Sequence, residues 1–565
     1  MSHRIALLAC ATFSCSAIAS PKSATGIEHV IVIVGENRSF DNLFATYRPR
    51  KGQTIANLLS RGIVKENGLP GRNFRLAAQR LAQNKGEYSP TPEIVGSYDT
   101  LPQPYAAGAF GQRRDIPDAR FPTDMPNGPF QISRYVAYGA HTGDPVHRFF
   151  QMRQQLDGGK NDLFVWTAQT VGVGPSNRNT LLAAGNTYQG AVTMGFYNMA
   201  MGDAPYLRGL ADEYAIADNY HQSVLGGTTG NYLALTTGDV SFFTRDGKPA
   251  KPPANLIENP DAQPGTNNWY TEDGYKGGSY VNCSNLNNPG VKGVFNLLKH
   301  LPYRPFRDGN CDLDTYYMVN NMEPAFSPTG DLLKLDDDKL PPQIIPTIGD
   351  ALTASGVSWR WYSGGRNDGK HVDKEYCAMC DTHLYFPSIM TGKGKNNLHD
   401  LWTFYLDAEK KEAYFPAVSI IAPYDSVSGH PGYAMEPGFD ELLRGVVDKV
   451  KQNPELWKKT AIIVTFDESG GYYDSGYTQA IDFFGDGPRV PLLVISPLAK
   501  KGYVDHTYYD HASILKFIER NWGMKPLSNR SRDNLPNPKH DKTSLYVPKN
   551  RPAIGDLMNL FQIKN

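Results

Sequence analysis

An α/β fold with a mainly parallel sheet flanked by helices is predicted by two observations: short, continuous apolar runs rich in β-branched residues, and helical stripes that alternate with them. His29-Val-Ile-Val-Ile-Val34 is almost entirely β-branched, which suits a strand buried on both faces better than one with a wet side. Ala417-Val-Ser-Ile-Ile-Ala422, Ala461-Ile-Ile-Val-Thr-Phe466 and Val490-Pro-Leu-Leu-Val-Ile495 are built alike, and Val357-Ser-Trp-Arg-Trp-Tyr362 is a weaker fifth run. Between them, Leu442, Leu443, Val446, Val447 and Val450 share one helical face, and Ile514, Phe517 and Ile518 form a second stripe. Strands alternating with helices imply parallel pairing, with ligands at the carboxyl ends of the strands. Two stretches break the pattern, Arg48 to about Thr142 and Asp239 to about Leu340, both rich in Pro, Gly, Asn and Tyr. They are expected to be insertions that form a cap over the site.

The first twenty residues pass from Arg4 through an apolar run to Ser-Ala-Ile-Ala-Ser20, which reads as a secretory signal. Residues 21–565 are then expected to form one elaborated domain, secreted or periplasmic. Two of the six cysteines fall in the signal. The remaining four, Cys283, Cys311, Cys377 and Cys380, admit two disulfides in an oxidising compartment, with Cys377-Ala-Met-Cys380 expected to close locally. Lys and Arg together number 57, as do Asp and Glu, so no field favours nucleic acid or an anionic membrane as partner. No run after the signal is long enough to span a bilayer.

The first strand runs into Gly35-Glu-Asn-Arg-Ser-Phe-Asp41, and the strand ending at Phe466 runs into Asp467-Glu-Ser-Gly-Gly471. Two strand ends thus offer three carboxylates and an amide, Glu36, Asn37, Asp467 and Glu468. These are hard oxygen donors of the kind a divalent cation takes. Either pair alone reads more readily as solvated loop acids or helix caps, and it is their occurrence together on two matching strand ends that points to a metal.

Those two segments, together with Tyr509-Asp-His-Ala-Ser-Ile514, resemble the bacterial phosphoesterase family of secreted type C phospholipases and acid phosphatases, in the same order along nearly the whole chain. The resemblance implies an alkaline-phosphatase-like fold, a phosphoesterase domain over 21–565, and a divalent metal of unknown identity on Glu36, Asn37, Asp467 and Glu468. It also implies a nucleophile. The family places a Ser or Thr in a Gly/Pro-rich turn three residues before an Asn, met here as Gly226-Gly-Thr-Thr-Gly-Asn231. Thr228 is the candidate, Thr229 its rival, and Asn231 a candidate substrate ligand. A glycine-rich turn entering a helix also suits phosphate on physical grounds. His147, His383 and His430 resemble family positions that hold phosphoryl oxygens or protonate the leaving oxygen. The family's paired histidines are Thr382-His383 in this chain, and Asp510-His511 is expected to buttress or cap.

These residues imply in-line attack by Thr228, a covalent phosphothreonine and its hydrolysis, with a phosphate ester as the partner. The preferred substrate at this level is a phosphomonoester, as for an acid phosphatase, because further C-terminal β-domains and a twin-arginine signal are not seen. The alternative is a phospholipase C, which alone would bring membrane contact; the pairs Trp269-Tyr270 and Tyr316-Tyr317 offer aromatic faces for a choline head group. A sulfatase would require a Cys/Ser-x-Pro-x-Arg segment near the acids. A non-catalytic metal- or carbohydrate-binding surface protein would leave Thr228 without a purpose.

Overall fold

A computed structural model describes residues 21–83, 86–105, 116–170, 189–261, 278–434, 436–541 and 543–563. The expected signal, residues 1–20, and the pair Trp269-Tyr270 lie outside them. Eight strands form one sheet: β1 His29–Gly35, β2 Ala215–Ala217, β3 Trp359–Ser363, β4 Leu398–Asp400, β5 Val418–Ala422, β6 Thr460–Phe466, β7 Leu492–Ile495 and β8 Tyr503–Asp505, in the order β4-β3-β5-β1-β6-β7-β2-β8. All neighbours pair in parallel except β7, which runs against both β6 and β2. The predicted mainly parallel sheet is present, and every residue of β1, β5, β6 and β7 is buried, as two covered faces require.

Helices α1 (Phe40–Phe44), α2 (Thr228–Thr237), α3 (Glu436–Lys451) and α4 (Ala512–Trp522) accompany the sheet. The stripe on α3 is buried from Phe439 to Val450, and Ile514, Leu515, Phe517 and Ile518 of α4 are buried likewise. Register sets the site. Val30 lies between Val418 and Ala461, and Gly35 pairs with Phe466, so the residues that follow β1 and β6 leave the sheet in step. Gly35 is required by close approach: a Cβ there would meet the rings of Phe466 and Phe439 at 2.7 and 2.8 Å.

Within the first irregular stretch the described residues hold one small hairpin, Arg80–Gln83 with Glu93–Ser97. The second holds two-residue pairings and a helix, Val291–Lys299, which its sequence did not suggest. Its disulfide, Cys283–Cys311, closes a separation of 28 residues, and Cys377–Cys380 is bridged as expected. Tyr317 is not a free aromatic face; it is buried against Phe484 with Arg530 over its ring. No described helix is long and apolar enough to cross a membrane.

Candidate functional site

The two acidic segments converge because the strand ends are in step. Asn37, in left-handed backbone at φ 61°, turns the chain so that its N–H donates to Asp467 Oδ1 at 3.0 Å, an oxygen that also accepts from Glu468 N at 2.7 Å. Asparagine tolerates that conformation better than most residues. Downstream, Ser39 caps α1, and Asp41 shares the buried Arg489 guanidinium with Asp474, so the tail of the first motif is structural.

Burial dominates the electrostatics. It pushes Glu36 well above the usual carboxylate range, with Asp467, Asp425 and Glu468 adding to the rise. Burial likewise raises Asp467 to about 6 and lifts Glu468 well up, although His147 opposes the latter. Three oxygens of this set, Asn37 Oδ1, Asp467 Oδ2 and Glu468 Oε1, are buried without a hydrogen-bond partner. Acceptors withdrawn from water and left unpaired are costly, and bound positive charge is one way to offset that cost. Asn37, Asp467 and Glu468 are hard donors of the kind a divalent cation takes, whereas Glu36 has its oxygens beside Tyr433 and Cys380 and groups, within 4.8 Å, with the two sulfurs of Cys377 and Cys380.

The glycine-rich turn that carries Thr228 is tightly packed. Gly226 and Gly227 are packed so closely that a Cβ would meet Val319 O and Asn321 Oδ1, each at 2.5 Å. Thr228 opens α2 at the edge of the site, and its hydroxyl lowers the Asp467 carboxyl against the pull of burial. Thr229, the rival, has its hydroxyl engaged: it donates to Met322 O at 3.1 Å and accepts from Met322 N at 3.2 Å. The second irregular stretch reaches the turn through Asn321, which accepts from Thr229 N.

Asn231 requires correction as a substrate ligand. Its Oδ1 accepts from Val224 N, and its Nδ2 donates to Val224 O, Gly226 O and Gly227 O at 3.0–3.2 Å. The amide is spent on pinning the turn that presents Thr228. Asn231→Ala is expected to destabilise the fold by about 3 kcal/mol, since it strands buried backbone groups; denaturant unfolding measures this.

The histidines divide. His147 Nδ1 is 2.7 Å from Pro145 O, which aims Nε2 at Glu468 Oε1, 3.7 Å away. His430 Nε2 stands 2.9 Å from Asn37 Nδ2, and burial, with His147 and Arg38, holds this imidazole well below its usual range. His383 is not brought to the cluster. Its ring is wedged between Trp359 and Trp361, neither nitrogen is bonded, and the charges acting on it are Asp381, Asp350 and Arg366. Burial lowers it to about 4, and its ring packs on the tryptophans of β3 instead of on the strand-end acids. His511 buttresses: Ser223 N donates to its Nδ1 at 3.3 Å, and Nε2 lies 3.1 Å from Phe466 O.

Sequence reasoning missed three neighbours. Tyr433 donates to Glu36 Oε2 at 3.2 Å and stacks on His430 with centroids 4.0 Å apart. Asp144 lies 3.7 Å from both His147 Nδ1 and His430 Nε2. Cys380 Sγ, inside its disulfide, is 3.3 Å from Glu36 Oε1.

Comparison with known proteins places the chain among phosphoesterases. Phospholipase C B of Mycobacterium tuberculosis is 24% identical over 547 residues, covering 90% of this chain and 75% of that protein. Non-hemolytic phospholipase C of Pseudomonas aeruginosa is 29% identical over 257 residues, covering 39% of this chain and 33% of that protein. Among solved structures, a protein of the alkaline phosphatase superfamily from Vibrio parahaemolyticus is 13% identical with a TM-score of 0.27, covering 58% of this chain and 63% of that one. An overlap that slight carries no argument. The model of the Phosphoesterase family, by contrast, matches residues 27–525, a span that takes in both acidic segments, the Thr228 turn and the His511 helix; the chain belongs to the Phosphoesterase family and is a phosphoric ester hydrolase.

Proposed function

We propose that the chain cleaves phosphodiesters of the phospholipid head-group class, as a phospholipase C would, through a covalent phosphothreonine on Thr228. The observation that supports this is the glycine-rich turn that opens α2 with Thr228, together with the buried, unpaired oxygens of Asn37, Asp467 and Glu468 at the ends of β1 and β6. The relatives bearing phospholipase C names favour a diester, and so weigh against the phosphomonoester expected from sequence.

Glu36, Asn37, Asp467 and Glu468 would hold a divalent cation, which supplies positive charge against the phosphoryl oxygens and lowers the pKa of a nearby hydroxyl. Thr228 Oγ1 releases its proton to solvent and attacks phosphorus, the bond to the leaving alcohol breaks, and protonated His147 donates the proton that alcohol takes up. In the second displacement the attacking water gives a proton back to His147 and Thr228 recovers one from solvent. Water then hydrolyses the phosphothreonine, so two in-line displacements retain configuration at phosphorus. His430, kept neutral by burial, orients Asn37. The irregular stretches 48–142 and 239–340 are proposed to form the wall that selects the alcohol. Export follows from the signal-like first twenty residues, and membrane contact from a lipid substrate.

The test compares p-nitrophenylphosphorylcholine with p-nitrophenyl phosphate, with and without chelator. Chelator-sensitive turnover of the choline diester is expected; faster monoester turnover would return the assignment to a phosphatase. His147→Gln is expected to slow alkyl diesters by about 10²–10⁴-fold and p-nitrophenyl diesters far less, because p-nitrophenolate departs without a proton. Equal loss on both substrates would remove His147 as the acid.

A further inference from the structure

The disulfide at Cys377–Cys380 lies against the site although hydrolysis has no use for it. Cys380 is fully buried, Cys377 is partly exposed, and the bridge leaves two residues between the sulfurs. Cys380 Sγ is 3.3 Å from Glu36 Oε1, and the ligand atoms of Glu36, Cys377 and Cys380 all lie within 4.8 Å of one another. The N–H of Cys380 donates to Cys377 Sγ at 3.2 Å, the kind of outer hydrogen bond that steadies a ligating sulfur. The other disulfide, Cys283–Cys311, belongs to no such cluster among the described residues.

We propose that reducing Cys377–Cys380 opens a site for a soft divalent cation, Zn²⁺ or Cd²⁺, formed by both sulfurs and the Glu36 carboxylate. A small dithiol supplies the two electrons. Its thiolate attacks the exposed Cys377 Sγ, Cys380 leaves and takes a proton, and the second thiol of the reagent releases Cys377 while the reagent closes to its own disulfide. The cation then displaces the two thiol protons to solvent. Two sulfurs and one carboxylate suit zinc or cadmium and disfavour magnesium or calcium. Glu36 cannot serve both centres, so the soft cation withdraws it from the strand-end acids and suppresses ester hydrolysis; only this consequence rests on the proposed function.

The full chain, reduced with dithiothreitol and freed of it without air, is titrated with Cd²⁺ while the ultraviolet charge-transfer band of cadmium thiolate is followed. Wild type is expected to saturate at one equivalent beyond the signal of the Cys377→Ser/Cys380→Ser variant, which retains Cys283 and Cys311 as background. Glu36→Gln is expected to weaken binding by at least about tenfold, and it carries the test if the double variant does not fold, as melting curves would reveal. Equal bands in reduced wild type and the double variant would overturn the site, as would an unaltered affinity in Glu36→Gln. Cadmium binding without diester turnover in any form would leave the site standing and sink the phospholipase assignment instead.

Discussion

Replacing Thr228 with alanine is expected to lower kcat by roughly three to six orders of magnitude, the range seen when a covalent nucleophile is removed. Fold and cation binding should be nearly unchanged. Thr228 opens α2 at N1, Gly227 caps the helix without a side chain, and Asn231 continues to hold the turn. Thr228→Ser keeps a hydroxyl in place and should retain measurable turnover. A phosphoryl adduct on Thr228, caught by mass spectrometry after acid quench, would be direct support. Full activity in Thr228→Ala would require another nucleophile, and Thr229 is poorly placed for that role because its hydroxyl is tied to Met322 in both directions.

Stripping divalent cations is expected to abolish turnover and to leave the strand-end acids making a contribution to stability that is larger at mildly acid pH than at neutral pH, against the opposite trend set by the buried histidines His383, His430 and His511. Asp467, Glu36 and Glu468 are all raised by burial, Asp467 to about 6. Between the ordinary carboxylate range and these raised values the folded state binds more protons at these acids than the unfolded one, so their contribution falls as pH rises through that window. The usual salt-bridged acid behaves the opposite way. Melting temperatures of chelated wild type and Glu468→Gln at about pH 5 and about pH 7 isolate this contribution: the wild type is expected to lose more stability, or gain less, than the variant as pH rises. Saturating cation at neutral pH should restore about 2.7 kcal/mol at a hundredfold excess over Kd. A chelated wild type that follows the variant's trend, and ignores added cations, would mean that the strand-end acids bind none.

The long central strands were legible because burial on both faces demands continuous β-branched runs, and β1, β5 and β6 have them. Ala215–Ala217, Leu398–Asp400 and Tyr503–Asp505 were not, because strands of three residues carry no periodicity to read. Nor was the reversed direction of β7, which is decided by connections and not by the composition of Leu492–Ile495. In the site, acids at matched strand ends could be anticipated, since the rule that places them is topological. The loop residues Tyr433, Asp144 and Cys380 could not, because nothing local reports where a loop returns. His383 marks the limit most clearly: a histidine after Asp-Thr looks alike in a catalytic loop and between two tryptophans. The available signal was Trp359 and Trp361, two apart on β3 and so on one face, a surface that needs a flat partner. Asn231 misled for a related reason, since an amide four residues past a glycine can serve its own turn as readily as a ligand.

β1 is the first strand synthesised and one of the innermost in the sheet, yet both its neighbours, β5 and β6, come roughly four hundred residues later. Until the last third of the polypeptide exists, its backbone donors and acceptors have no permanent partners, and closing so long a loop is slow. Glu36 and Asn37 likewise wait for Asp467 and Glu468. A chain ordered in this way cannot complete either the centre of its sheet or the acidic end of β1 from an N-terminal fragment; both wait for residues beyond about 460.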